Sequence, residues 1–387
     1  MRKFCNEKAQ QLKQGTIREL FDRAVNYTDT INMGIGEPDF DTPDYIIKAG
    51  CRALEEGKTR YTANAGLFSL RQSVLSYLKK FDIEFESENN IIITNGGMGA
   101  LSLCMQCVIS SGDEVLVQDP CWLNYRSQIE FLGGVVVSVP VYEENGFCLT
   151  ADSIEAKMTD RTRILLLNSP NNPTGAVISS EELKRIAELA IKYDLLVISD
   201  EVYCELIYGD RKHCSIAEIP EMQERTVVVN SLSKSFAMTG WRVGYAAGPE
   251  AIIRNMVLLQ ENMVACVTSS SQYGALGALT QLGSEIKMML DTYDERRSLI
   301  VAGLNRIPGI SCNMPPASFY VFPNIKATGL KSAEFSDRLL QETGVIAIPG
   351  SAFGNNGEGY LRLSYANSKE NILKALERIE GFIGGIK

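Results

Sequence analysis

A lysine, two serines and an arginine lie close together near the middle of the sequence, in a pattern that could bind a phosphorylated carbonyl compound. The apolar run 226–229 predicts a buried strand, and the polar residues after it are Ser231, Ser233, Lys234 and Arg242. A lysine at the rim of a core is partly desolvated, which lowers its pKa and leaves a nucleophilic amine. Serine hydroxyls and the arginine fork can bind the oxygens of an anion such as phosphate. The alternative is an ordinary surface lysine near a strand end.

Polar side chains after two other predicted strands suit the same kind of ligand. Asp200 follows the apolar run 195–199, and Tyr203 lies three residues later. Asn172 lies in a loop that two prolines and a glycine make rigid. A buried carboxylate needs a partner to remain charged, and a protonated pyridine nitrogen is one such partner. Together with Lys234, these residues indicate pyridoxal 5′-phosphate (PLP), whose aldehyde condenses with lysine. The alternative for the aspartate is a purely structural cap.

Two more strand ends offer contacts to a ligand. The glycine-rich turn 95–99 separates a predicted strand, 91–94, from a predicted helix, 100–110. Free amides at such a turn and the helix dipole together favour an anion, although the turn has neither P-loop nor G-x-G-x-x-G spacing. Trp122 follows the strand 114–118, at the sheet edge where ligands of α/β proteins lie, and its indole could stack on a pyridine ring. The alternative for the glycine-rich turn is a tight turn without a ligand, and the alternative for Trp122 is simple core packing.

Arg362 lies within the apolar run 360–365, which predicts a strand. An unpaired charge in that position would be costly, and a carboxylate that accepts both arms of the guanidinium is the natural partner. That carboxylate could belong to an aspartate or glutamate of the protein or to a substrate.

The elements that must position these residues follow an alternating pattern. From about residue 90 onward, short apolar runs alternate with helical patterns, which is typical of an α/β fold with a parallel sheet. Further strands are predicted at 135–141, 164–168, 319–323 and 345–350, and helical periodicity covers 250–261 and 272–305. The 387 residues exceed what one core usually holds, so we expect two domains.

Composition excludes several classes of protein. The net charge is −9 and no basic run occurs, which argues against binding to nucleic acid or to an anionic membrane. No apolar run approaches about 20 residues, so we expect no transmembrane helix. The N-terminus lacks the apolar core of a signal peptide, and ten scattered cysteines are typical of a reducing compartment, so we expect a cytoplasmic protein.

Histidine and cysteine usage leaves little room for metal chemistry. His213 is the only histidine in the chain, which nearly excludes a histidine-based triad or a histidine-rich metal site. Cys104 and Cys107 form a C-x-x-C pair, but no second pair lies at zinc spacing and the pair falls within a predicted helix. Core packing is therefore the favoured interpretation, and we expect no metal.

Considered jointly, the motifs resemble those of class I/II aminotransferases, PLP enzymes of fold type I, and most closely the subgroup of aspartate, aromatic and broad-range enzymes. The resemblance extends from Gly34 to Arg362, and its motifs are Asn172-Pro173-Thr174-Gly175, Asp200-x-x-Tyr203, Ser231-x-Ser233-Lys234 and Arg242. It implies an α/β fold whose large domain, residues 36–270, contains a mostly parallel sheet and binds PLP. Residues 1–35 and 271–387 would form a smaller α/β domain.

The resemblance also implies roles around the cofactor ring. Lys234 would hold PLP covalently and then move the proton between substrate and cofactor. Asp200 would pair with the pyridine nitrogen, and Tyr203 and Asn172 would bind the phenolic oxygen. Trp122 occupies the position of the family's ring-stacking aromatic residue.

The phosphate and the substrate carboxylate would be bound by separate groups. The residues implied for the phosphate are Gly97 and Met98 through their amides, Ser231, Ser233 and Arg242. Tyr61 matches a tyrosine that reaches the phosphate from the partner subunit, so a homodimer is expected. Arg362, Asn172 and the Gly36 amide would clamp the substrate α-carboxylate.

One departure from the family bears on the substrate. Some aspartate transaminases of this subgroup have Gly-Gly-Lys in the glycine turn, and that lysine is associated with the acidic side chain of the substrate; here the residue is Met98. We therefore expect an aromatic, apolar or broad-range amino donor, with Tyr125 and Tyr320 lining its pocket, and a 2-oxo acid such as 2-oxoglutarate as acceptor. A PLP-dependent C–S β-lyase of the same fold is the alternative, and a non-enzymatic PLP sensor is less favoured because only about 30 residues precede Asn32.

Overall fold

The computed structural model describes residues 4–12, 14–25, 27, 29–281 and 283–385. Its α-helices are α1 (Glu7–Gln11), α2 (Thr16–Ala24), α3 (Asp44–Glu55), α4 (Phe68–Leu78), α5 (Gly96–Val108), α6 (Asn124–Leu132), α7 (Ala151–Glu155), α8 (Ser180–Lys192), α9 (Leu232–Ser235), α10 (Glu250–Val264), α11 (Ser269–Thr280), α12 (Glu285–Leu304), α13 (Ser332–Thr343) and α14 (Lys369–Gly385). Its strands are β1 (Ile31–Asn32), β2 (Ile91–Thr94), β3 (Glu114–Asp119), β4 (Val135–Pro140), β5 (Thr162–Asn168), β6 (Leu196–Asp200), β7 (Thr226–Ser231), β8 (Gly244–Ala247), β9 (Tyr320–Val321), β10 (Val345–Ile346), β11 (Ile348–Pro349) and β12 (Leu361–Ser364).

A seven-stranded sheet forms the centre of the molecule, in the order β2-β8-β7-β6-β5-β3-β4. All neighbouring strands are parallel except β8, which is antiparallel to both β2 and β7. The central strands are continuous runs of valine, isoleucine and leucine because helices cover both faces of the sheet and leave no polar side. The expected α/β fold with a large, mostly parallel sheet is confirmed, and β5, β6 and β7 end at the same edge.

The C-terminal part of the chain forms a second, antiparallel sheet in the order β11-β12-β9. Strand β1, near the N-terminus, pairs in parallel with β10, so the N-terminal segment packs on the C-terminal region. The division into domains at residues 36 and 270 stays a prediction, with which these pairings agree.

Several predicted elements have different bounds in the structure, and three of them are informative. Helix α5 begins at Gly96 rather than at residue 100, because the glycines of the predicted turn form its first turn. The predicted helix 272–305 is two helices, α11 and α12, and Gly283, a poor helix former, lies between them. The strand predicted at 345–350 is split into β10 and β11, which pair with different partners.

The described residues bear on the expectations for membrane spans, metal sites and disulfides. None of their helices combines the length and the apolar character that a bilayer crossing requires. Nowhere among them do three or more histidine, cysteine or acidic side chains form a group that could hold a metal ion. All ten cysteines are free thiols, and Cys104 is buried in the core as expected.

Candidate active site

A cavity of about 350 Å³ opens at the edge where β5, β6 and β7 end. Twelve of the thirteen residues that the sequence singled out as site residues line it. They are Gly36, Gly97, Met98, Trp122, Asn172, Asp200, Tyr203, Ser231, Ser233, Lys234, Arg242 and Arg362. Residues that are as much as 326 positions apart in sequence, Gly36 and Arg362, thus line one cavity.

Asp200 is the last residue of β6, and the residue is 2% exposed. The Tyr125 hydroxyl donates to Oδ2 at 2.6 Å, and the Val202 amide donates to Oδ1 at 3.3 Å. Burial raises the pKa of Asp200 to about 6, and the two hydrogen bonds only partly oppose this rise. The carboxylate has no cationic partner among the described residues, and it faces the cavity, where a protonated ring nitrogen would supply one.

Lys234 lies in α9, the single turn that follows β7. Burial lowers the pKa of its amine to about 8, with Glu37 acting in the opposite direction and the positive charges of Arg362 and Arg242 reinforcing the decrease. The Nζ atom donates to the Gly36 carbonyl across the cavity. An amine with this pKa is a competent nucleophile near neutral pH.

The first turn of α5 forms one side of an anion cradle. No side chain caps this helix end, so its amides remain available to a ligand. A Cβ atom on Gly96 would lie 2.7 Å from Nη2 of Arg242, which shows how closely that guanidinium approaches the turn. The hydroxyls of Ser231 and Ser233 are 2.8 Å apart, and both side chains face the same cavity.

Arg362 is buried in β12, with 2% of its surface exposed. Its guanidinium donates to Oδ1 of Asn172 at 3.0 Å and to the Gly34 carbonyl at 2.6 Å, and it lies 4.4 Å from the centre of the Tyr320 ring. Nε has no hydrogen-bond partner. The sequence left open whether Arg362 pairs with a carboxylate of the protein or with one of a substrate. No described aspartate or glutamate pairs with it, which favours a substrate carboxylate.

Two buried tyrosines of the cavity wall, Tyr203 and Tyr320, contact each other. The hydroxyls of Tyr203 and Tyr320 are 3.0 Å apart, and burial raises the pKa of both phenols, so both stay protonated. A Cβ atom on Gly36 would lie 2.1 Å from the Tyr320 hydroxyl oxygen, so only glycine fits there. Tyr125 and Tyr320 both line the cavity, but the Tyr125 hydroxyl already donates to Asp200, and the role of the two tyrosines in binding the donor side chain stays a prediction.

Tyr61 is the one predicted site residue that does not line the cavity, and it is 89% exposed. Conversely, sequence reasoning missed Asn168, Glu37 and Thr239, which do line it. Asn168 ends β5 as Asp200 ends β6, and the same strand-end rule could have found it. Its side chain accepts from the Asn172 amide at 2.9 Å and donates to the Asp200 carbonyl at 3.1 Å.

Three groups of residues in the cavity match three functional groups of PLP. The buried carboxylate of Asp200 suits a pyridine nitrogen, the amine of Lys234 suits an aldehyde, and the uncapped helix end with Arg242 suits a phosphate. A fold type I PLP-dependent enzyme is the class that this sheet and this cavity define.

The chain belongs to the family of class I and II aminotransferases, whose family model matches residues 28–379. It is 42% identical to an aspartate aminotransferase of Pyrococcus horikoshii over 99% of this chain and 98% of that one. It is 40% identical to an aromatic-amino-acid aminotransferase of Thermococcus litoralis, with 97% of each chain covered. The crystal structure of an aromatic aminotransferase from Pyrococcus horikoshii superposes with a TM-score of 0.90 at 42% identity, covering 94% of this chain and 98% of that one.

These findings show that the protein is a PLP-dependent aminotransferase, an enzyme whose substrates are small molecules, namely amino acids and 2-oxo acids. The relatives described above are named as aminotransferases, and none of these names supports the β-lyase alternative.

Proposed function

We propose that the enzyme accepts amino donors with aromatic, apolar or broad-range side chains and transfers the amino group to a 2-oxo acid such as 2-oxoglutarate. The observation that supports this is Met98, which is 36% exposed at the cavity wall where some aspartate enzymes of the subgroup have lysine. The cations on the described cavity wall are Lys234, Arg242 and Arg362. Lys234 would react with the aldehyde of PLP, Arg242 would bind the phosphate and Arg362 would bind the substrate α-carboxylate. No cation of the described wall therefore remains for the distal carboxylate of aspartate.

The proposed roles around the ring follow from the contacts of each side chain. PLP, when bound, withdraws electrons from the substrate carbon that carries the amino group. Asp200 would hold a proton on the pyridine nitrogen, and Trp122 would cover one face of the ring. Tyr203 and Asn172 would donate to the phenolic oxygen, which keeps the ring in one orientation. The Lys234 amine, released by the incoming substrate, would move the proton to and from the reacting carbon.

The two anionic groups would be bound at opposite ends of the cavity. The phosphate would accept hydrogen bonds from the amides of Gly97 and Met98, the hydroxyls of Ser231 and Ser233, and Arg242. The substrate α-carboxylate would bind Arg362, Asn172 and the Gly36 amide. Separate anion sites fix the direction of the substrate relative to the ring, and this positioning is a large part of catalysis.

We also propose that the active unit is a homodimer and that it works in the cytoplasm. The support for the dimer is Tyr61, together with other exposed apolar side chains of the same part of the chain, including Leu54 and Phe68. In a dimer, Tyr61 would reach the phosphate of the partner's site. The ten free thiols support a reducing compartment. Residues 36–270 would form the large domain, since they contain every strand of the seven-stranded sheet.

Substrate choice can be tested with half-reactions of the PLP-loaded enzyme against a panel of amino acids. We expect kcat/KM for aspartate to be no higher than for aromatic or long apolar donors. Met98→Lys should raise kcat/KM for aspartate about tenfold, equal to about 1.4 kcal/mol, and Met98→Leu is the uncharged control. A tenfold preference for aspartate in the unmodified enzyme would show that another cation binds the distal carboxylate.

A further inference from the structure

The partner of Asp200 on the side away from the backbone is Tyr125, on α6. Its hydroxyl is 2.6 Å from Oδ2, and the residue is 1% exposed. We propose that Tyr125 is a positioning residue for Asp200, which holds the carboxylate in the orientation and in the ionised state that a protonated pyridine nitrogen requires. The inference rests on the proposed role of Asp200 in binding that nitrogen.

The orientation of the carboxylate is fixed by one hydrogen bond to each oxygen. The Val202 amide holds Oδ1 at 3.3 Å, and the Tyr125 hydroxyl holds Oδ2, so the carboxylate plane cannot turn freely about its last torsion. The backbone below it is held as well, because Asn168 donates to the Asp200 carbonyl. Asp200 also lines the cavity, where a ligand can approach the carboxylate.

Neighbouring groups help to keep the Asp200 carboxylate ionised although it is buried. Burial raises the pKa of Asp200 and the neighbouring charge of Glu201 adds to this, whereas the Tyr125 hydrogen bond and the Lys234 charge lower it. Burial also raises the pKa of Tyr125 well above its ordinary value, so the phenol keeps its proton and remains a donor. Without this donor the carboxylate would be more basic and would compete with the ring nitrogen for the proton.

Tyr125 also connects two of the proposed cofactor contacts. It lies three residues after Trp122 at the start of α6, and the two rings meet edge to face with centroids 5.3 Å apart. The short segment from Trp122 into the first turn of α6 therefore carries both the residue that would cover the ring face and the residue that holds the partner of the ring nitrogen.

The chain offers a matched control in Tyr77. Its hydroxyl also donates to a carboxylate, Oε1 of Glu205, at the same distance of 2.6 Å, and the residue is buried. Neither Tyr77 nor Glu205 lines the cavity. Tyr77→Phe thus removes an equivalent hydrogen bond without touching the site.

The experiment compares Tyr125→Phe, Tyr77→Phe and Asp200→Ala, each loaded with PLP that carries ¹⁵N in the ring. The ¹⁵N chemical shift reports the protonation of the ring nitrogen independently of turnover. We expect Tyr125→Phe to move this shift part of the way toward the unprotonated value, to lower kcat about tenfold (about 1.4 kcal/mol) and to move the acidic limb of the kcat profile to higher pH. Tyr77→Phe should change none of the three.

The outcomes distinguish the role of Asp200 from the role of Tyr125. If Asp200→Ala leaves the ¹⁵N shift unchanged, the proposed role of Asp200 is wrong. If Asp200→Ala removes the protonation but Tyr125→Phe matches the unmodified enzyme in shift and pH profile, only the role of Tyr125 is overturned. Should Tyr125→Phe fail to fold, 3-fluorotyrosine at position 125, a stronger donor of the same shape, must move the acidic limb to lower pH; an unmoved limb contradicts the proposal.

Discussion

Asp200 and Glu201 are adjacent in sequence and equally buried, but the protein satisfies their carboxylates in different ways. Glu201 accepts hydrogen bonds from Ser199 at 2.7 Å and Ser215 at 2.6 Å, and its other oxygen is 2.7 Å from Nε2 of His213. Asp200 has two donors and an open side toward the cavity. The strand β6 ends between the two residues, so one carboxylate faces the site and the other faces the interior.

The same contrast separates two arginines of the C-terminal region. Arg296 on α12 is paired with Asp39 at 2.7 Å. Arg362 is more deeply buried and has only neutral partners, namely Asn172 and the Gly34 carbonyl. A buried charge that the described protein leaves without a counter-ion is costly unless a ligand supplies one. The comparison therefore distinguishes charges kept for a ligand from charges that stabilise the fold.

The largest effect is expected at Lys234, because no other described side chain of the cavity carries an amine. Lys234→Ala should bind PLP through the phosphate contacts but lose more than about 10⁴-fold in kcat, the upper contribution of a positioned general acid–base group. Borohydride reduction of the unmodified holoenzyme and peptide mapping should locate the label at Lys234. Lys326→Ala, a lysine that packs on Tyr360 outside the cavity, is the control. A label on any other lysine would end this assignment.

Arg362→Lys should lower kcat/KM about 10²-fold, because a lysine retains the charge but loses the two-armed hydrogen bond to the carboxylate, a contact to a charged group worth about 3 kcal/mol. Arg296→Lys makes the same chemical change at a paired arginine and should leave kcat/KM within about threefold. Steady-state kinetics with the best donor measures both. Equal losses in the two variants would mean that Arg362 has a structural role only.

The lowered pKa of Lys234 predicts how the rate of PLP uptake by the cofactor-free protein depends on pH. Only the neutral amine attacks, and with a pKa of about 8 its fraction rises about tenfold between pH 7 and 9 and then levels off. An ordinary lysine would give about a hundredfold rise and no plateau in that range. Stopped-flow absorbance, with free lysine measured in parallel to correct for titration of PLP itself, makes the comparison. A rate that still rises beyond pH 10 would contradict it.

Tyr61 tests whether the cavity of one chain is a complete site. Tyr61→Phe should weaken PLP binding about tenfold, since a hydrogen bond to a charged phosphate is lost, while the fold remains intact. Equilibrium dialysis measures the dissociation constant of PLP. Tyr142→Phe, another exposed tyrosine outside the cavity, is the control.

Subunit mixing distinguishes a contact across a dimer from one within a chain. Lys234→Ala protein is combined with a severely impaired Tyr61 variant, and subunits are allowed to exchange. In a hybrid with shared sites, one site collects both defects and the other collects neither, so activity partly returns. No recovery despite demonstrated exchange, or a fully active monomer, would rule out the shared site.

Residues at strand ends can be found from the sequence, although Asn168 was overlooked, whereas contacts that depend on the order of the strands in the sheet cannot be found in this way. Lys234 and Asp200 each follow a continuous apolar strand, and the sheet edge then brings them together. The bond from Tyr125 to Asp200 joins residues 75 positions apart, and it requires β3, β5 and β6 to be neighbours in the sheet. The early start of α5 was missed because glycine is a poor helix former, and here the anion cradle needs its free amides.

The smallest effect on activity is expected at Glu201, and the adjacent Asp200 gives its matched control. Glu201→Gln keeps the shape but turns an acceptor into a donor that faces Ser199, Ser215 or His213, so it should lower the free energy of unfolding by about 1–3 kcal/mol. The kcat of the folded enzyme should remain within about threefold, because the side chain faces away from the cavity. Asp200→Asn should show the opposite pattern, with a loss of about 10²-fold in kcat, as when an oriented electrostatic group is removed, and little loss of stability. Urea unfolding measures the stability of both variants, and steady-state kinetics measures their kcat. A fall in kcat for Glu201→Gln as large as that for Asp200→Asn would mean that the two carboxylates act as one unit.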